Sequence, residues 1–451
     1  MQFTDVRKPD RIVLTFMLAI FLFFSVYIAF NIKRGIIPDE SLHGAYITKF
    51  SKTWGIPVDG QDTFTSGVYI KGSPFLFYWL GGRLESLFGL VVRGESPTDV
   101  WIFHRVVNSL LSTTTILFTY LIGTRIIKNV WLQLLPPFML ANTLMYALLA
   151  GGINYDNLTN LLITAAIYYY IRMVQAEYPL KSLLAWIALI SLASLTKETA
   201  LPVAGMMVVL TIVIFIRRGM NLDEILYNWK ATLPLLIFTS FTLLLAGSFY
   251  ANNIIRYQSV EPNCQDMYTE QICEMSAFVK RDKTLQLPEK LTIRGAINAG
   301  WYEPVQYVFY SWIGHMADKT YGFHGHNNYF PYVAGFFPIL FLWIILVSVR
   351  GIKDWGTVHT ALAVFVVSVT LTILVWNYNS ELKFGFKHVA VQGRYLFPII
   401  GTYYALLIYG LERVKSKFIM IPTLIILLVL FMYSGPLRLL LSPENFTGWF
   451  N

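Results

Sequence analysis

A group of ionisable side chains follows the first apolar segment of the chain, where Pro38, Asp39 and Glu40 precede His43. Asp39 and His43 are four residues apart, and Glu40 and His43 are three apart, so one face of a helix here presents a carboxylate beside an imidazole. Such a pair is suited to general-base chemistry. The same residues also suit simple helix initiation, because proline favours the first helical position and acids favour the first turn. We predict Asp39 and Glu40 as catalytic candidates and His43 as a substrate-binding candidate.

A further acid, Asp156, lies between two apolar segments and follows Asn154. Acids near membrane depth are costly, and they are usually paired or functional. This makes Asp156 a third catalytic candidate. Helix capping by Asn154 or Asp156 is the alternative interpretation, and the sequence leaves both open.

Lys197, Arg394 and Arg105 lie at the ends of apolar segments, away from the loops in which basic residues concentrate. A lysine in such a place can simply extend its side chain to the lipid headgroups. Three cations converging on one face would instead suit a phosphate, because arginine makes paired contacts to phosphate and lysine supplies a point charge. We predict these three residues as a phosphate site suited to an anionic lipid headgroup, with Glu198 and Tyr395 as neighbouring substrate-binding candidates.

An aromatic-rich stretch spans residues 301–332 and also contains His324 and His326. Aromatic rings are typical of the membrane interface. The same stretch also suits a wall that stacks on sugar faces, which makes the two histidines substrate-binding candidates. Two residues apart and with no evident third ligand, they do not indicate a zinc site. The sequence predicts no metal site and identifies no cofactor, and a divalent cation is the one cofactor that it leaves open.

The composition shows what kind of scaffold must position these residues. Charged residues make up 14% of the 451-residue chain and apolar residues 55%, whereas soluble domains are about 25% charged. This excludes a soluble enzyme, a disordered protein and a disulfide scaffold. The net charge of +9 comes from short basic clusters between apolar runs, which is typical of a polytopic membrane protein and not of a nucleic-acid-binding protein.

We predict an all-α membrane protein with about eleven transmembrane helices, since a helix needs about 20 apolar residues to cross the hydrocarbon. The predicted segments are 11–32, 102–124, 131–150, 155–174, 182–196, 200–216, 231–250, 332–349, 356–376, 395–411 and 418–434. Basic residues in the short loops orient the N-terminus towards the cytoplasm.

The predicted spans divide the chain into three parts. These are an N-terminal transmembrane module (1–250) that includes a first external loop (33–101), a second external loop (251–331), and C-terminal transmembrane helices (332–451).

The two cysteines of the chain, Cys264 and Cys273, both fall in the second predicted external loop. In an oxidising compartment their spacing favours a disulfide over two free thiols.

Taken in order, these motifs resemble the multi-pass glycosyltransferases of the GT-C superfamily. The acidic pair after the first span is followed by Ser73-Pro74-Phe75-Leu76-Phe77-Tyr78, by Arg105 with Asn108-Ser109, by the Asp156 turn and by the Thr196-Lys197 turn. Within that superfamily the chain looks most like the bacterial DUF2142 membrane proteins, on the strength of Pro38-Asp39-Glu40 with His43, Asn154-x-Asp156-Asn157-Leu158, and Gly393-Arg394-Tyr395 with Pro398. The resemblance runs from residue 11 to about residue 412.

The resemblance implies a sugar donor linked to polyprenyl phosphate, an extracytoplasmic active site, and a catalytic base in the first external loop. Carried over by motif, Asp39 is the base with Glu40 as its rival, Asp156 places the substrates, and Lys197 and Arg394 bind the lipid phosphate. The expected protein is a GT-C glycosyltransferase of the bacterial inner membrane. It would transfer a hexosyl or pentosyl group, with inversion, to a glycan or lipid-linked acceptor of the cell envelope.

Two departures from the superfamily limit this expectation. The chain has no Trp-Trp-Asp motif, which argues against transfer of a whole oligosaccharide to asparagine. Ser73 stands where many relatives have histidine. The alternative function is a transporter or flippase, in which the same charges would bind a lipid-linked or anionic substrate inside the membrane. The matching broken helices that would favour a transporter are not evident in the sequence.

Overall fold

The computed structural model describes residues 8–92, 96–218, 229–301, 303–324, 328–329, 331–387 and 390–450. These residues are nearly all helical. The first part of the chain contains α1 (Lys8–Asn31), α2 (Glu40–Ser51), α3 (Gln61–Ser66), α4 (Leu76–Val91), α5 (Pro97–Ile126), α6 (Val130–Gln133), α7 (Leu135–Ala141), α8 (Leu144–Ala150), α9 (Tyr155–Val174), α10 (Pro179–Thr196) and α11 (Ala200–Arg218).

The middle of the chain has one long helix followed by short ones. They are α12 (Leu233–Tyr257), α13 (Cys264–Met267), α14 (Glu270–Cys273), α15 (Ala277–Leu285), α16 (Ile293–Asn298), α17 (Pro304–Gln306) and α18 (Ile313–Tyr321), the last preceded by a π-helical turn at Tyr307–Trp312. A two-stranded antiparallel hairpin of β1 (Phe323–His324) and β2 (Asn328–Tyr329) comes next, with Phe323 opposite Tyr329. The C-terminal part contains α19 (Phe336–Ser348), α20 (Thr357–Phe384), α21 (Phe397–Glu412), α22 (Lys417–Ser434) and α23 (Leu437–Leu441).

The eleven predicted apolar segments are helical over most of their length, as the apolar runs predicted. Within the described residues, seven helices are long and apolar enough to cross a membrane: α1, α5, α10, α11, α12, α20 and α22. The helices α6 to α8 reach the same apolar length when taken together, but the chain bends by 68° between Ala141 and Leu144, so they are an eighth span only if the bent pair crosses the membrane as one. The remaining predicted spans correspond to α9, α19 and α21, which are shorter or more polar.

The centre of the helical bundle is α9, which packs against α5 and α10. Its polar residues Asn157, Thr159 and Asn160 are buried, and Asn157 donates a hydrogen bond to Asn108 of α5 at 2.9 Å. Because these polar residues lower its mean hydropathy, α9 is less apolar than a lipid-facing span. These buried contacts instead hold α9 against its neighbours, and so they place its N-terminal end.

The two long segments between the spans pack against each other. Tyr268 of the second segment donates to Asp59 of the first at 2.8 Å, and Asn253 at the end of α12 donates to the carbonyl of Gly72 at 2.8 Å. Cys264 and Cys273 are joined by a disulfide and pack with Tyr69. The disulfide therefore stabilises the part of the second segment that contacts the first.

Candidate functional site

Four charged side chains from distant parts of the sequence form a line of ion pairs, which we call the charge cluster: Asp39, Arg394, Asp156 and Lys197. Arg394 Nη2 donates to Asp39 Oδ2 at 2.8 Å, and Lys197 Nζ donates to Asp156 Oδ1 at 2.5 Å. Arg394 Nε lies 3.7 Å from Asp156 Oδ2. Neither of those last two atoms has a hydrogen-bond partner among the described residues, although both are buried. The cluster therefore keeps unused hydrogen-bonding capacity at its centre.

Each member of the charge cluster lies at the end of a helix. Asp39 precedes α2 in a left-handed conformation, with φ at 59°. Asp156 is in the first turn of α9, where its N–H donates to the Asn154 side chain at 2.8 Å. Asn154 is thus the cap of α9, and the Asp156 carboxylate is left to pair with cations. Lys197 directly follows α10, and Arg394 lies in the 3-10 turn that leads into α21.

Two glycines allow these helix ends to meet. A side chain at Gly152 would bring its Cβ to 2.5 Å from Ile37, and one at Gly393 would bring its Cβ to 2.5 Å from the backbone of Lys319. Any larger residue would force the neighbouring segments apart. Gly152 therefore sets the approach of the α8–α9 turn to the segment before Asp39, and Gly393 sets the position of Arg394.

The Asp39 carboxylate is the member of the cluster that reaches open space, with 40% of its side chain exposed. Partial burial alone would raise its pKa, but the positive charges of Arg394 and Lys197 and the hydrogen bond from Arg394 outweigh this, so the pKa of Asp39 lies below its ordinary value of 3.8. Asp39 is therefore ionised at neutral pH, and it can accept a proton.

Glu40 has different surroundings, although it is the next residue. It is fully buried at 0% exposure, and both of its oxygens accept hydrogen bonds from Arg105, at 2.7 and 2.8 Å. The N–H of Ile153 also donates to Glu40 at 3.2 Å. Arg105 in turn donates to the last carbonyls of α1, those of Ala29 and Ile32. The structure thus pairs Glu40 with Arg105, and neither residue lines the polar or the apolar cavity described below.

A polar cavity of about 320 Å³ adjoins the charge cluster at Asp39. It lies between the first long segment, the second long segment and the α10–α11 turn. Its polar lining consists mainly of carboxylates, phenols and an imidazole: Asp39, His43, Tyr46, Tyr69, Ser73, Tyr78, Tyr155, Thr196, Glu198 and Glu261. Hydroxyl-rich molecules bind in cavities of this kind, since phenol and carboxylate groups hydrogen-bond hydroxyls while aromatic faces pack on carbon.

His43 is held rigidly in the wall of this polar cavity. Its Nδ1 lies 2.9 Å from the Tyr78 hydroxyl, its ring contacts the Tyr155 ring edge-on at 4.5 Å, and it is 1% exposed. Burial, opposed by the charge of Asp39, lowers the pKa of His43 to about 4. The imidazole is therefore neutral above about pH 5. Its Nε2 has no hydrogen-bond partner among the described residues.

Aromatic rings fix the ammonium group of Lys197. Its Nζ lies 4.6 Å from the centre of the Tyr155 ring and 5.0 Å from that of Tyr395. Cation–π contacts of this kind hold a buried cation in place without neutralising it. Tyr395 itself packs edge-on against Trp376 of α20.

A second, apolar cavity of about 380 Å³ lies between α18, α19, α20 and α21. Its lining includes Leu396, two residues after Arg394 in the sequence, together with Phe341, Val367 and Ile399. A cavity lined almost wholly by hydrocarbon matches the apolar tail of an amphiphile.

The structure brings together most of the residues that the sequence singled out. Asp39, His43, Asp156, Lys197 and Arg394 meet, with Glu198 and Tyr395 beside them, whereas Glu40 and Arg105 form the separate buried pair. His326 lies outside the described residues. For His324, which is part of β1, only the backbone is described.

Sequence reasoning missed three residues that line the site. Tyr78 and Tyr155 both lie in the quoted motifs, but no feature of the sequence distinguished them from the aromatic residues that are common at membrane interfaces. Glu261 is one acid among many in its loop, and no local pattern marked it. Within the described residues, no group of three His, Cys, Asp or Glu side chains is placed to hold a metal ion.

Comparison with solved structures identifies the architecture. The archaeal oligosaccharyltransferase AglB from Archaeoglobus fulgidus, solved with an inhibitory peptide and a dolichol-phosphate, superposes with a TM-score of 0.53 at 12% identity over 97% of this chain and 56% of that chain. The chain has the fold of the GT-C membrane glycosyltransferases. The same archaeal enzyme with zinc and sulfate gives 0.51 at 14% identity, covering 94% of this chain and 52% of that one. ArnT from Cupriavidus metallidurans in the apo state gives 0.47 at 12% identity, covering 93% of this chain and 63% of that one.

The chain spans between about half and two thirds of the length of these three structures. No family model matches the chain, and no curated protein matches it significantly. The GT-C architecture predicted from the sequence is thus confirmed at the level of the fold, whereas the likeness to the DUF2142 proteins stays a prediction.

Proposed function

We propose that this protein transfers a hexosyl or pentosyl group from a polyprenyl-phosphate donor to an extracytoplasmic acceptor, with inversion at the anomeric carbon. The observation that carries the proposal is the charge cluster at the wall of a polar cavity, with Arg394 two residues before Leu396, which lines an apolar cavity. A lipid-linked sugar has three parts that these features match: a hydroxylated head, a phosphate and a hydrocarbon tail. The GT-C fold supports this reaction class, and the archaeal enzyme of similar fold was solved with a dolichol-phosphate.

In this proposal Arg394 and Lys197 bind the donor phosphate. Each uses only part of its donor capacity within the charge cluster, and Arg394 Nε is buried without a hydrogen-bond partner among the described residues. A phosphate oxygen would satisfy it. Fixed cations also stabilise the negative charge that gathers on the phosphate as the glycosidic bond breaks.

Asp39 is the proposed base. An acceptor hydroxyl in the polar cavity transfers its proton to Asp39, its oxygen forms a bond to the anomeric carbon, and the bond from that carbon to the phosphate oxygen breaks. The bonding electrons leave with the polyprenyl phosphate. One displacement of this kind needs a single base and inverts the configuration at the carbon. The partly exposed, ionised carboxylate of Asp39 supports this role.

Glu40 and Arg105 are proposed as positioning residues, because their bidentate pair ties the start of α2 to α5 and to the end of α1. Asp156 is proposed to orient Lys197 and Arg394, both of which it contacts.

We further propose a bacterial inner-membrane location with a cytoplasmic N-terminus, and a cell-envelope glycan or lipid-linked glycan as the acceptor. Together with the lipid bilayer, these are the partners that the proposal requires. No nucleic acid is among them.

The test is reconstitution of the purified full chain into liposomes with a panel of polyprenyl-phosphate sugars and cell-envelope extracts. The proposal predicts release of polyprenyl phosphate together with a new glycosidic linkage in the acceptor fraction. Movement of an intact lipid-linked sugar or another solute across the bilayer, with no release of lipid phosphate from any donor, would overturn it in favour of a flippase or transporter.

A further inference from the structure

The polar cavity carries more negative charge than its surroundings offset. Asp39 and Asp156 are matched by Arg394 and Lys197 within the charge cluster. Glu198 and Glu261 line the same cavity, but no ion pair or side-chain hydrogen bond to either of them occurs within the described residues. Among the described residues, no lysine or arginine lines the cavity. Within that part of the chain, these two carboxylates in the wall thus have no cation in direct contact.

These two carboxylates are close enough to influence each other. Partial burial and the charge of Glu198 raise the pKa of Glu261 to about 7, against the opposing effect of Lys197, although Glu261 keeps an exposed face. Two acids that repel each other in one wall are stabilised by any cation that enters between them.

An independent observation points to a ligand in the same cavity. His43 Nε2 is buried and has no hydrogen-bond partner among the described residues, while Nδ1 is already engaged by Tyr78. An unsatisfied buried polar atom is costly unless a ligand or water completes it. Because His43 lies in the wall of the cavity, a ligand or a water that enters the cavity can supply this missing partner.

We propose that this cavity recognises an amino sugar, whose ammonium group binds Glu198 and Glu261 while a sugar hydroxyl bonds to His43 Nε2. The inference rests on the proposed function and names its substrate class. The amino sugar belongs either to the donor head or to the acceptor glycan, since both must enter the cavity.

An ammonium group fits these residues better than a metal ion does. The described residues contain no group of three ligands suited to a metal. An ammonium needs only hydrogen bonds to two carboxylates, which are strong when the charges are opposite. It also offsets the charge that the donor phosphate adds to the charge cluster.

The experiment compares matched substrates that differ in one charge. In the donor arm the probes are polyprenyl-phosphate glucosamine and polyprenyl-phosphate N-acetylglucosamine, and in the acceptor arm they are the tetrasaccharides of glucosamine and N-acetylglucosamine. Binding to the purified full chain is measured in detergent for all four, and lipid-phosphate release is measured alongside. The variants are Glu198→Gln and Glu261→Gln, with Glu289→Gln in the same long segment as the control.

The proposal predicts that, in one arm, the wild-type protein binds the amine form about tenfold to about a hundredfold more tightly than the acetylated form. This ratio of affinities corresponds to the free energy of a typical hydrogen bond to a charged group. Glu198→Gln and Glu261→Gln should each remove most of that preference, while Glu289→Gln keeps it. The amino-sugar proposal would be overturned if the wild type bound both forms equally, or if the variants lost the same affinity for both forms. A preference for the amine that disappears when a chelator is added would also overturn it.

The same data separate this inference from the proposed function. Lipid-phosphate release without any preference for the amine would overturn the amino-sugar proposal alone. A preference for the amine that Glu198→Gln removes, with no lipid-phosphate release from any donor, would overturn the transferase proposal alone.

Discussion

Asp39 and Glu40 are adjacent carboxylates with opposite surroundings. Glu40 is enclosed with Arg105, whereas Asp39 is partly exposed at the wall of the polar cavity. The sequence predicted a catalytic acid in this loop, because both carboxylates lie within one helical turn of the His43 imidazole. It could not separate the two acids, since the partner of Glu40 lies 65 residues further along the chain. Glu261 escaped prediction for the same reason, because only the fold brings it beside Glu198.

At the residue scale, Lys197 and Arg394 should govern donor affinity. Lys197→Ala and Arg394→Ala each remove a charged contact worth about 1.5–3 kcal/mol, so the affinity for a lipid-phosphate sugar should fall by about one to two decades. Titration of the purified variants with a polyprenyl-phosphate sugar measures this. Lys49→Ala, which breaks an exposed ion pair with Asp62, is the control and should not change the affinity. Unchanged donor affinity in both site variants would remove these cations from the site.

The pKa of Glu261 predicts how substrate binding depends on pH. Glu261 titrates near 7, with Glu198 and Lys197 as the charged groups nearby, whereas Asp39 stays ionised because its pKa is below 3.8. As the pH rises from about 6 to about 8, Glu261 loses its proton and becomes negative. The KM expressed for the ammonium form of an amino sugar should therefore fall as the pH rises, and Glu261→Gln should flatten the profile. A KM for the ammonium form that rises over this range in the wild type would contradict the assignment.

At the scale of elements, apolar runs predicted where the helices lie, because burial in lipid needs little more than length and hydropathy. The bends within these helices and the contacts between them were less predictable. The 68° bend between Ala141 and Leu144 divides a run that reads as one span, and α9 is a buried polar helix within the bundle. Gly393 had a place in a motif, but only the packing shows that its lack of a side chain admits the backbone of Lys319.

Gly393 supplies a prediction at this scale. The Cβ of Gly393→Ala would lie 2.5 Å from backbone atoms of Lys319, so the α18–α21 contact must shift, at a cost of about 1–3 kcal/mol for overpacking. Arg394 shifts with it, and donor affinity should fall together with thermal stability. Gly335→Ala, which meets no atom within 4 Å, should leave both unchanged. Wild-type stability and affinity in Gly393→Ala would show that this close approach does not set the site.

At the scale of the whole molecule, we predict the orientation in the membrane from the basic short loops, and that orientation places both long segments outside. The contact between those segments, with the disulfide at its edge, then puts the polar cavity on the external side. The sequence predicted the class of the molecule because composition and charge distribution are whole-chain properties. It did not indicate that the two long segments enclose one cavity, since that depends on pairs such as Asp59 and Tyr268, which lie 209 residues apart.

Thiol labelling tests this orientation. In intact cells a membrane-impermeant thiol reagent should modify Cys264 and Cys273 only after an external reductant opens the disulfide. A single Lys415→Cys in a background without these cysteines should react only after the membrane is permeabilised, because the loop that contains it faces the cytoplasm. The reverse pattern would invert the topology and place the site on the cytoplasmic face.

The central claim, that Asp39 takes the proton in a sugar transfer, is tested most directly by measuring lipid-phosphate release and donor binding together in Asp39→Asn. Asparagine keeps the shape and a hydrogen bond to Arg394 but cannot accept the proton. Release should therefore fall by about 10²–10⁴-fold, while the donor still binds and Asp62→Asn behaves as the wild type. Full release in Asp39→Asn, with the donor bound as in the wild type, would contradict the account.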